Sequence, residues 1–585
     1  MRFELVDALP YERIIALDFE FFGAEGENPN VVCLVSRDLL SGELRRYWHD
    51  DLLGMESPPF DTGETTLLLA YFSSAEMQCF NALGWEMPEC LVDLYVEFRR
   101  LTNGQELRHG RGMVGALRYF RLDRFIPSEK AEMRELILSG GPWSSTQEAS
   151  IMDYCQQDVD ALGPLFAAML AHEPWTTDRL GQALIRGRYM AAVGSMQFCG
   201  IPIDVHTLEQ LRRHWSALQQ GLIARVDTAY GVYREGSFRE ALFAEYLDRK
   251  GISWPRLDTG RLKLDRDTFS NMSKRHPQIR GLHELRKTLA ELRSNNLSVG
   301  PDGRNRTLLS PFSSKTGRNQ PSTSKFIYGA PKWFRSLIKP MQGTALAYVD
   351  WSSQEIAIAA ALSEDTRLWE AYSSGDPYMA FAIQAGLAPP DATKATHKEV
   401  RDRCKQVVLG TNYGMSAYGI AQAAGIHVLE AKNLLQKHRE TYCVFWAWAE
   451  NNKERGLLGA PLTTCFGWQI QATSGLVKAN TFLNWPMQAN GAEMMRLACS
   501  LAIGQGIKVC APVHDALLIE APVEEIDTAV STLKGCMAQA SEWVLGQGKV
   551  CRTDAEIVRY PDRYEDEGGG EMWRIVMQLL GEIEG

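Results

Sequence analysis

The sequence predicts a multidomain protein, an α/β domain followed by α+β domains. Its 585 residues exceed what one hydrophobic core supports, which predicts roughly two to four domains. Residues 1 to about 172 alternate strand-like and helix-like stretches, as α/β domains do. A mostly helical region follows, and strands return from residue 343 onward, around a long helical block at about 364–457.

Individual segments justify this division. RIIALDFEFF (13–22) and TLLLAYF (66–72) are predicted as buried strands, and SIMDYCQQDVDALGPLFAAMLA (150–171) as a helix. Residues 294–330 are rich in Ser, Asn, Gly, Thr and Pro and predict loops. Within 207–226, apolar residues at steps of three and four predict a helical packing face: Leu208, Leu211, Trp215, Leu218, Leu222 and Val226.

The C-terminus predicts a flexible joint followed by a short helix. EDEGGGE (565–571) is the joint. The amphipathic helix after it carries Trp573, Val576, Met577 and Leu580. We expect this helix to pack on the rest of the protein, with partner binding as the alternative.

Composition excludes several classes of protein. Hydrophobic content of 45% and charged content of 23% are ordinary for a globular protein. No window approaches the ~18 apolar residues of a membrane span, and the N-terminus lacks the pattern of a signal peptide. The twelve cysteines are scattered, without a CxxC pair, which predicts neither a zinc site nor a disulfide framework and fits a cytoplasmic protein.

Charge is distributed unevenly. The net charge of −10 argues against a broad surface that coats nucleic acid. Residues 281–340, however, carry eleven Lys and Arg against three acids, a local balance of +8. Such a segment suits phosphate neutralisation, while the simpler alternative is a solvated loop with surplus cations.

The first candidate site is a set of acids in the N-terminal domain. Asp18 and Glu20 lie two apart in a strand and therefore share one face. Glu76 falls in the first turn of a predicted helix, and Tyr154 and Asp158 share one helix face. Together these acids can hold two Mg²⁺ ions ~3.5–4 Å apart, with Tyr154 orienting a water. The alternative is ordinary exposed acids and a helix-capping glutamate.

The motif order DFE, then an acid after the second strand, then YCQQD resembles the DEDD-type 3′–5′ exonucleases with tyrosine in the last motif, which include proofreading domains. The resemblance implies an RNase H-like domain over 1–172, with Asp18, Glu20 and Asp158 as metal ligands. The family usually has Asn and then Phe-Asp at its second motif, where this chain has AYFSSAEMQCF. Glu76 is placed at that acid position, with Asp93 as the alternative.

The second half carries three further motifs. AYVDWSSQEIAIAAAL (347–362) is a strand ending at Asp350 and then a helix. RDRCKQVVLGTNYG (401–414) spaces Arg401, Lys405, Leu409 and Tyr413 by four, so two cations and an aromatic ring share one helix face. Cations so placed can grip a triphosphate and the ring can pack near a base, while Gly414 leaves room for another backbone. The alternative is an amphipathic helix with surface cations.

The third motif is APVHDALLIE (511–520), two apolar stretches that meet at a tight turn of His514 and Asp515. A buried aspartate is costly unless it is paired or holds a metal.

Asp350, the 401–414 helix and His514-Asp515, in this order, resemble motifs A, B and C of the family A DNA polymerases. The segments TGRNQ (316–320) and NWPMQ (484–488) resemble that family's DNA-contacting segments. The resemblance implies a right-hand polymerase domain over 173–585. Its parts would be mainly thumb and the start of the palm at 173–342, palm at 343–363 and 476–585, and fingers at 364–475. It is most similar to forms that begin directly at the proofreading domain.

The resemblance also implies a role for each residue at the polymerase site. Asp350 and Asp515 would hold two Mg²⁺ ions, with the Trp351 carbonyl as an extra ligand and Mn²⁺ as a possible substitute for Mg²⁺. Lys405 would be the general acid for pyrophosphate and Arg401 a γ-phosphate clamp. The remaining predicted contacts are Leu409 and Tyr413 with the nucleotide, Glu355 with its sugar, and Thr316, Arg318, Asn484, Gln488 and His514 with DNA.

Several positions depart from the family pattern. Ala516 stands where motif C usually has Glu, and Leu409 stands where Phe or Tyr is usual. Gln354 replaces an apolar residue, and Asn480 stands where Arg is common. Two aspartates still suffice for two metals when the triphosphate supplies oxygens. We therefore expect an active enzyme with altered sugar or base discrimination.

The sequence thus predicts a DNA-directed DNA polymerase with a 3′–5′ proofreading exonuclease. Its expected partners are primer-template DNA and dNTPs, as a monomer in the cytoplasm of a bacterium or of a phage-infected host. One alternative is an exonuclease whose polymerase half only binds DNA, and another is a non-catalytic nucleic-acid-binding protein. A single-subunit RNA polymerase is disfavoured by Glu355, which would collide with a ribose hydroxyl.

Overall fold

The N-terminal domain is built on a five-stranded sheet. The computed structural model describes residues 6, 8–126, 130–292, 296–471 and 477–584. The strand order is β3-β2-β1-β4-β5; β1 pairs antiparallel with β2 and parallel with β4. The strands are β1 Arg13–Phe22, β2 Asn30–Asp38, β3 Leu44–Trp48, β4 Thr66–Ala70 and β5 Leu91–Asp93. Both predicted strands are confirmed, at 13–22 and 66–70.

Helices cover both faces of this sheet. Ile14 and Ala16 of β1 pack in one core beneath α6, while Ile15, Leu17 and Phe19 pack in a second core beneath α2. This alternation turns the even-numbered residues of β1 towards α6. The helices are α1 His49–Leu53, α2 Ser74–Leu83, α3 Leu94–Leu101, α4 Met113–Tyr119, α5 Lys130–Leu138 and α6 Ser145–His172. The helix predicted at 150–171 is confirmed within α6.

A long helix, α7 Thr177–Cys199, joins the two halves of the chain. It packs against α2 and β5 of the first domain and against the sheet and a long helix of the second half. Gly187 makes this approach possible, because a Cβ there would lie 1.7 Å from the Leu91 carbonyl oxygen. The two halves are therefore in close backbone contact at this helix.

A helical region follows, as predicted. The stripe predicted within 207–226 is split between two helices at His214, whose φ of −99° and ψ of 13° interrupt the helix. Leu208, Leu211, Leu218 and Leu222 are nevertheless all buried. The helices are α8 Val205–Arg213, α9 Trp215–Asp227, α10 Glu240–Arg249, α11 Arg266–Arg275 and α12 Arg280–Leu292; short strand pairs are β6 Ile201–Pro202 with β9 Arg304–Asn305 and β7 Tyr233–Arg234 with β8 Ser237–Phe238.

The second half is centred on a four-stranded antiparallel sheet in the order β13-β14-β10-β15. Its strands are β10 Thr344–Trp351, β13 Lys508–Val513, β14 Ala516–Pro522 and β15 Thr553–Arg559. The strand, turn and strand predicted at 511–520 are confirmed as β13, His514-Asp515 and β14. A separate hairpin joins β11 Leu462–Thr463 and β12 Gln469–Ile470.

Helices surround this sheet. The predicted helical block is present, and α20 runs beneath the sheet as one continuous helix despite Pro486. The helices are α13 Gln354–Ser363, α14 Thr366–Ser373, α15 Pro377–Gln384, α16 Lys398–Asn412, α17 Ala417–Ala424, α18 Val428–Thr441, α19 Cys443–Leu457, α20 Ala479–Gly504, α21 Ile526–Leu545 and α22 Gly570–Glu584. The last of these packs on α9 with Trp573, Val576 and Leu580 buried, which confirms the packing prediction. None of the described helices combines the length and apolar character of a membrane span.

Most cations of the basic stretch at 281–340 are paired with carboxylates of the protein, so the stretch is not a free phosphate-binding surface. Seven of its eleven cations form ion pairs with protein carboxylates, so internal pairing accounts for most of its charge: Lys287, Arg304, Arg306, Lys325, Lys332, Arg335 and Lys339. Arg293 lies outside the described residues.

Candidate active sites

The predicted N-terminal acids converge around β1, the central strand of the first sheet. Asp18 and Glu20 lie on β1, and one ligand atom from each, together with the Cys155 sulfur, lie within 4.8 Å of one another. The Cys155 thiol donates to an Asp18 carboxylate oxygen at 3.5 Å. Cys155 lies within the YCQQD motif but was not identified from the sequence, where it reads as a core residue.

The structure separates the roles of the two candidate second-motif acids. Glu76 lies in the first turn of α2, and its carboxylate accepts a hydrogen bond from the Phe19 backbone N–H at 3.0 Å. Burial and the neighbouring Asp18 charge raise the pKa of Glu76. Asp93 instead caps α3: it accepts from the Val96 N–H at 2.9 Å and from the Ser73 N–H and hydroxyl. Glu76 is thus beside Asp18, and Asp93 performs a capping role.

Tyr154 and Asp158 reach the same acids from α6. Burial, then the charges of Asp158, Glu20 and Asp18, raise the pKa of the Tyr154 phenol, so its hydroxyl keeps its proton. The buried Cys155 thiol also has a raised pKa. With the thiol protonated, the donors are carboxylate oxygens, and this set fits Mg²⁺.

The second candidate site lies where β10 meets the β13–β14 hairpin. Asp350 is the penultimate residue of β10, and the adjacent Trp351 N–H donates to the Asp515 carbonyl at 3.1 Å. His514 has a φ of 57°, which a two-residue hairpin turn requires, and this turn carries Asp515 beside Asp350. Burial, then the charge of Asp515, raise the pKa of Asp350. A bound divalent cation would relieve this repulsion, and the oxygen donors fit Mg²⁺.

Asp554 is a third carboxylate at this site that sequence analysis missed. In the antiparallel sheet Asp350 stands directly opposite Ala516 on β14 and directly opposite Asp554 on β15. Directly opposed residues project from the same face, and like charges in such pairs are destabilising. The Ser352 hydroxyl also donates to the Asp554 carboxylate. Only the strand pairing reveals this neighbour, because Asp554 is far from Asp350 in sequence and carries no motif.

The helix α16 presents Arg401 and Lys405 on one face, as predicted, but Arg401 is paired with a carboxylate of the protein. Arg401, Lys405 and Leu409 all lie on its partly exposed face. Arg401 is bound to Asp376, with a guanidinium-to-carboxylate distance of 2.5 Å. Both cations also lie over the Tyr378 ring, at 5.3 Å for Arg401 and 5.7 Å for Lys405. Neither Asp376 nor Tyr378 was identified from the sequence.

Three residues that were predicted separately form one hydrogen-bonded group. The Tyr413 hydroxyl donates to the Glu355 carboxylate at 2.8 Å, and the Gln488 amide donates to both. Tyr413 follows the end of α16 at Asn412 instead of continuing the helix, and it is 52% exposed. Burial lowers the pKa of the nearby Arg318 guanidinium, opposed by the charges of Glu355, Tyr413 and Asp515. Arg318 is therefore within range of the charges of both this group and Asp515.

Two of the departures from the family pattern, Asn480 and Gln354, have partners within the protein. Gly414 has a φ of 62°, and a Cβ there would lie 3.1 Å from side-chain atoms of Asn480 and Leu483. The nearest protein atoms are thus side-chain atoms, and the approach of another backbone to Gly414 stays a prediction. Asn480 donates to the Gly414 carbonyl at 3.1 Å. Gln354 is buried, and its amide contacts the Met494 sulfur of α20.

The two predicted DNA-contacting segments each contact the polymerase site: Arg318 lines one cavity with His514, and Gln488 donates to Glu355. The Thr316 and Ser314 hydroxyls are 3.0 Å apart in a tight turn that ends at Arg318. Asn484 lies on α20, one turn before Gln488, and among the described residues nothing hydrogen-bonds to its buried Oδ1.

A sequence model of DNA polymerase family A matches residues 207–550, more than half of the chain. The chain belongs to DNA polymerase family A. The matched range contains Asp350, the 401–414 helix and His514-Asp515. The N-terminal acids and Asp554 lie outside it.

Family A relatives agree with this assignment. DNA polymerase I of Aquifex aeolicus is 24% identical over 387 residues, which are 62% of this chain and 64% of the relative. The thermostable DNA polymerase I of Thermus aquaticus is 24% identical over 375 residues, 59% of this chain and 44% of the relative. The chain thus aligns with less than two thirds of either family A relative.

A solved structure extends the likeness in fold to nearly the whole chain. The polymerase domain of Pol1 from M. smegmatis, in complex with primer-template DNA and dNTP, superposes with a TM-score of 0.70. The match covers 93% of this chain and 95% of that one at 18% identity. Both halves of this family A chain therefore share the fold of that domain.

Proposed function

We propose that this protein synthesises DNA from dNTPs on a primed template and removes mispaired 3′ ends with its N-terminal domain. The observation that carries the proposal is that Asp350 and Asp515 lie together where β10 meets the β13–β14 hairpin, with Asp554 directly opposite Asp350. The M. smegmatis relative in fold is described with the same ligands, primer-template DNA and dNTP.

In the polymerase half, side chains divide the tasks of nucleotidyl transfer. Two Mg²⁺ ions held by Asp350, Asp515 and the Trp351 carbonyl would supply activation of the primer 3′-OH and charge neutralisation of the triphosphate. Lys405 donates a proton to the leaving pyrophosphate, and Arg401 exchanges Asp376 for the γ-phosphate. Glu355, fixed by Tyr413 and Gln488, blocks a ribose 2′-hydroxyl.

In the N-terminal half, the acids support phosphodiester hydrolysis. The order of the sheet, with three antiparallel strands and then two parallel ones, supports the RNase H-like arrangement predicted for 1–172. Asp18, Glu20 and Asp158 would hold Mg²⁺, which would supply an activated water. Tyr154 keeps its proton and orients that water. Glu76 lies next to Asp18, whose charge acts on the Glu76 carboxyl.

A second candidate function is a 3′–5′ exonuclease whose polymerase half only binds DNA. Ala516 and Leu409 favour it, because both replace side chains that the family uses at the polymerase site. Asp554 argues against this second function, because Asp554 provides a third carboxylate on the sheet face that carries Asp350.

A labelled primer annealed to a longer template tests both functions. We expect extension with Mg²⁺ and dNTPs, shortening with Mg²⁺ alone, and neither in EDTA. Shortening at every dNTP concentration would support the second candidate function instead. Activity of neither kind would identify a non-catalytic nucleic-acid-binding protein. Sedimentation of the same sample tests the predicted monomer.

Asp554→Asn is expected to raise the Mg²⁺ concentration for half-maximal extension by about tenfold, because a carboxylate opposite Asp350 is lost. Electron paramagnetic resonance of Mn²⁺, titrated into the protein without DNA, should report weaker binding. Adding Ala516→Glu to Asp554→Asn should restore much of the affinity, since Ala516 faces Asp350 from the other side. Unchanged Mn²⁺ binding in Asp554→Asn would exclude this role.

Leu409→Phe is expected to lower the KM for dNTP about three- to tenfold, because a flat ring packs better on the incoming nucleotide. Steady-state incorporation of single nucleotides measures this, with ribonucleotides and dideoxynucleotides as competitors. Unchanged KM and unchanged selectivity would show that Leu409 does not contact the nucleotide.

A further inference from the structure

The predicted DNA-contacting segment TGRNQ (316–320) belongs to a compact turn, here named the primer loop (residues 313–319). The Gly317 N–H donates to the Ser314 carbonyl at 3.0 Å, and the Ser314 N–H donates to the Arg318 carbonyl at 3.2 Å. Gly317 has a φ of 75°, which the turn requires. Because Arg318 lies beside Asp515 and Glu355, the position of this turn sets where its guanidinium stands.

One backbone atom holds the primer loop from three directions. The Lys315 carbonyl accepts hydrogen bonds from the Asn103 amide at 2.7 Å, the Trp485 indole at 2.9 Å and the Trp468 indole at 3.2 Å. A carbonyl oxygen has two lone pairs, so three converging donors fully occupy it and fix its position. Two of these donors belong to the polymerase half, and the third, Asn103, belongs to the N-terminal domain.

The placement of Asn103 is tightly determined. Its amide also donates to the Gln469 carbonyl at 2.7 Å, so both N–H groups are used and the orientation of the amide follows from two carbonyl partners. Its own carbonyl accepts from the Gln471 N–H at 3.1 Å, and the residue is only 5% exposed. A Cβ on the neighbouring Gly104 would lie 2.3 Å from the Gln471 carbonyl oxygen, so the backbone segments at Gly104 and Gln471 are in direct contact.

A second contact from the same helix end repeats the pattern. The Arg99 guanidinium donates to the Ser313 carbonyl at 2.7 Å, at the start of the primer loop. Neither Arg99 nor Asn103 belongs to the acid cluster around Asp18. The last turn of α3 and the residues just after it therefore contact the polymerase half through backbone carbonyls of the primer loop.

We propose that Asn103 is a positioning residue for primer binding by the polymerase half. The N-terminal domain thereby forms part of the polymerase's DNA-binding apparatus, apart from any hydrolysis it performs. This inference rests on the proposed function, because it assumes that the primer loop contacts DNA. Loss of the Asn103 amide lets the loop shift and moves Arg318 away from the bound primer.

The test is the Kd of a fluorescent primer-template duplex, measured by anisotropy without Mg²⁺ so that no hydrolysis occurs. Asn103→Leu is expected to raise the Kd about tenfold, as for the loss of one or two buried hydrogen bonds. Asn81→Leu is the matched control, because Asn81 lies in the same domain and its side chain donates to the Met77 carbonyl of its own helix. The KM for primer-template should rise with the Kd, while kcat at saturating DNA changes less than about twofold.

A double-mutant cycle separates positioning from general destabilisation. In an Arg318→Ala background, Asn103→Leu should add little to the Kd, because its effect acts through the primer loop. Fully additive effects, or a Kd equal to that of the wild type, would overturn the inference. Where Asn103→Leu lowers the Tm severely, Arg99→Ala replaces it: Arg99 is partly exposed, and its loss should raise the Kd about threefold.

The outcomes also separate this inference from the proposed function. A wild type that binds and extends the primer-template, with Asn103→Leu behaving identically, contradicts the inference alone. A wild type with no preference for primer-template over unrelated single strands contradicts the proposed function as well.

Discussion

Asp350→Ala is expected to abolish primer extension, by on the order of a thousandfold or more, and to leave primer shortening intact. Asp350 is the penultimate residue of β10, an inner strand of the second sheet, and stands beside Asp515 and opposite Asp554. Removing the Asp350 carboxylate takes away the proposed metal ligand that lies between Asp515 and Asp554. Single-turnover incorporation of one dNTP on a labelled primer measures the loss.

Glu556→Gln is the control for Asp350→Ala. Glu556 lies two residues along β15 from Asp554 and faces Tyr348, so its charge is on the same face but away from the aspartates. We expect extension by this variant within about twofold of the wild type. If Asp350→Ala extends primers at a normal rate, the polymerase site has been assigned to the wrong carboxylates.

Asp18→Ala and Glu76→Gln are expected to remove primer shortening, each by about a hundredfold or more, and to leave extension unchanged. Asp18 is at the centre of the acid cluster, and Glu76 is bound to the backbone next to it. Digestion of a labelled single strand with Mg²⁺ and without dNTPs measures this effect. Extension by both variants should gain errors, because mispaired ends persist.

Asp93→Asn decides between the two candidate acids. Asparagine caps helices about as well as aspartate, so this variant should keep the fold of α3. The amide nitrogen of Asn cannot accept from the Ser73 N–H as the Asp93 carboxylate does, so we expect a lower Tm, but digestion of single strands within a few-fold of the wild type. The assignment of Glu76 is reversed if Asp93→Asn loses digestion while Glu76→Gln keeps it.

Sequence alone predicted much of this arrangement, because its signals are local. The apolar runs in 13–22 and around His514-Asp515 specify strands and a turn through the pattern of burial. Spacing by four brought Arg401, Lys405 and Leu409 to one helix face. For the same reason the motifs were sufficient for membership in DNA polymerase family A, which the match over 207–550 shows.

Tertiary structure alone decided which distant residues meet. Asp554 faces Asp350 through the pairing of β15 with β10. The choice between Glu76 and Asp93 depends on the groups that surround each carboxylate: the Phe19 N–H for Glu76 and the Val96 N–H for Asp93. Asn103 reaches the Lys315 carbonyl across 212 residues. Strand register and domain docking depend on packing between segments far apart in the chain, and no local pattern of residues encodes such contacts.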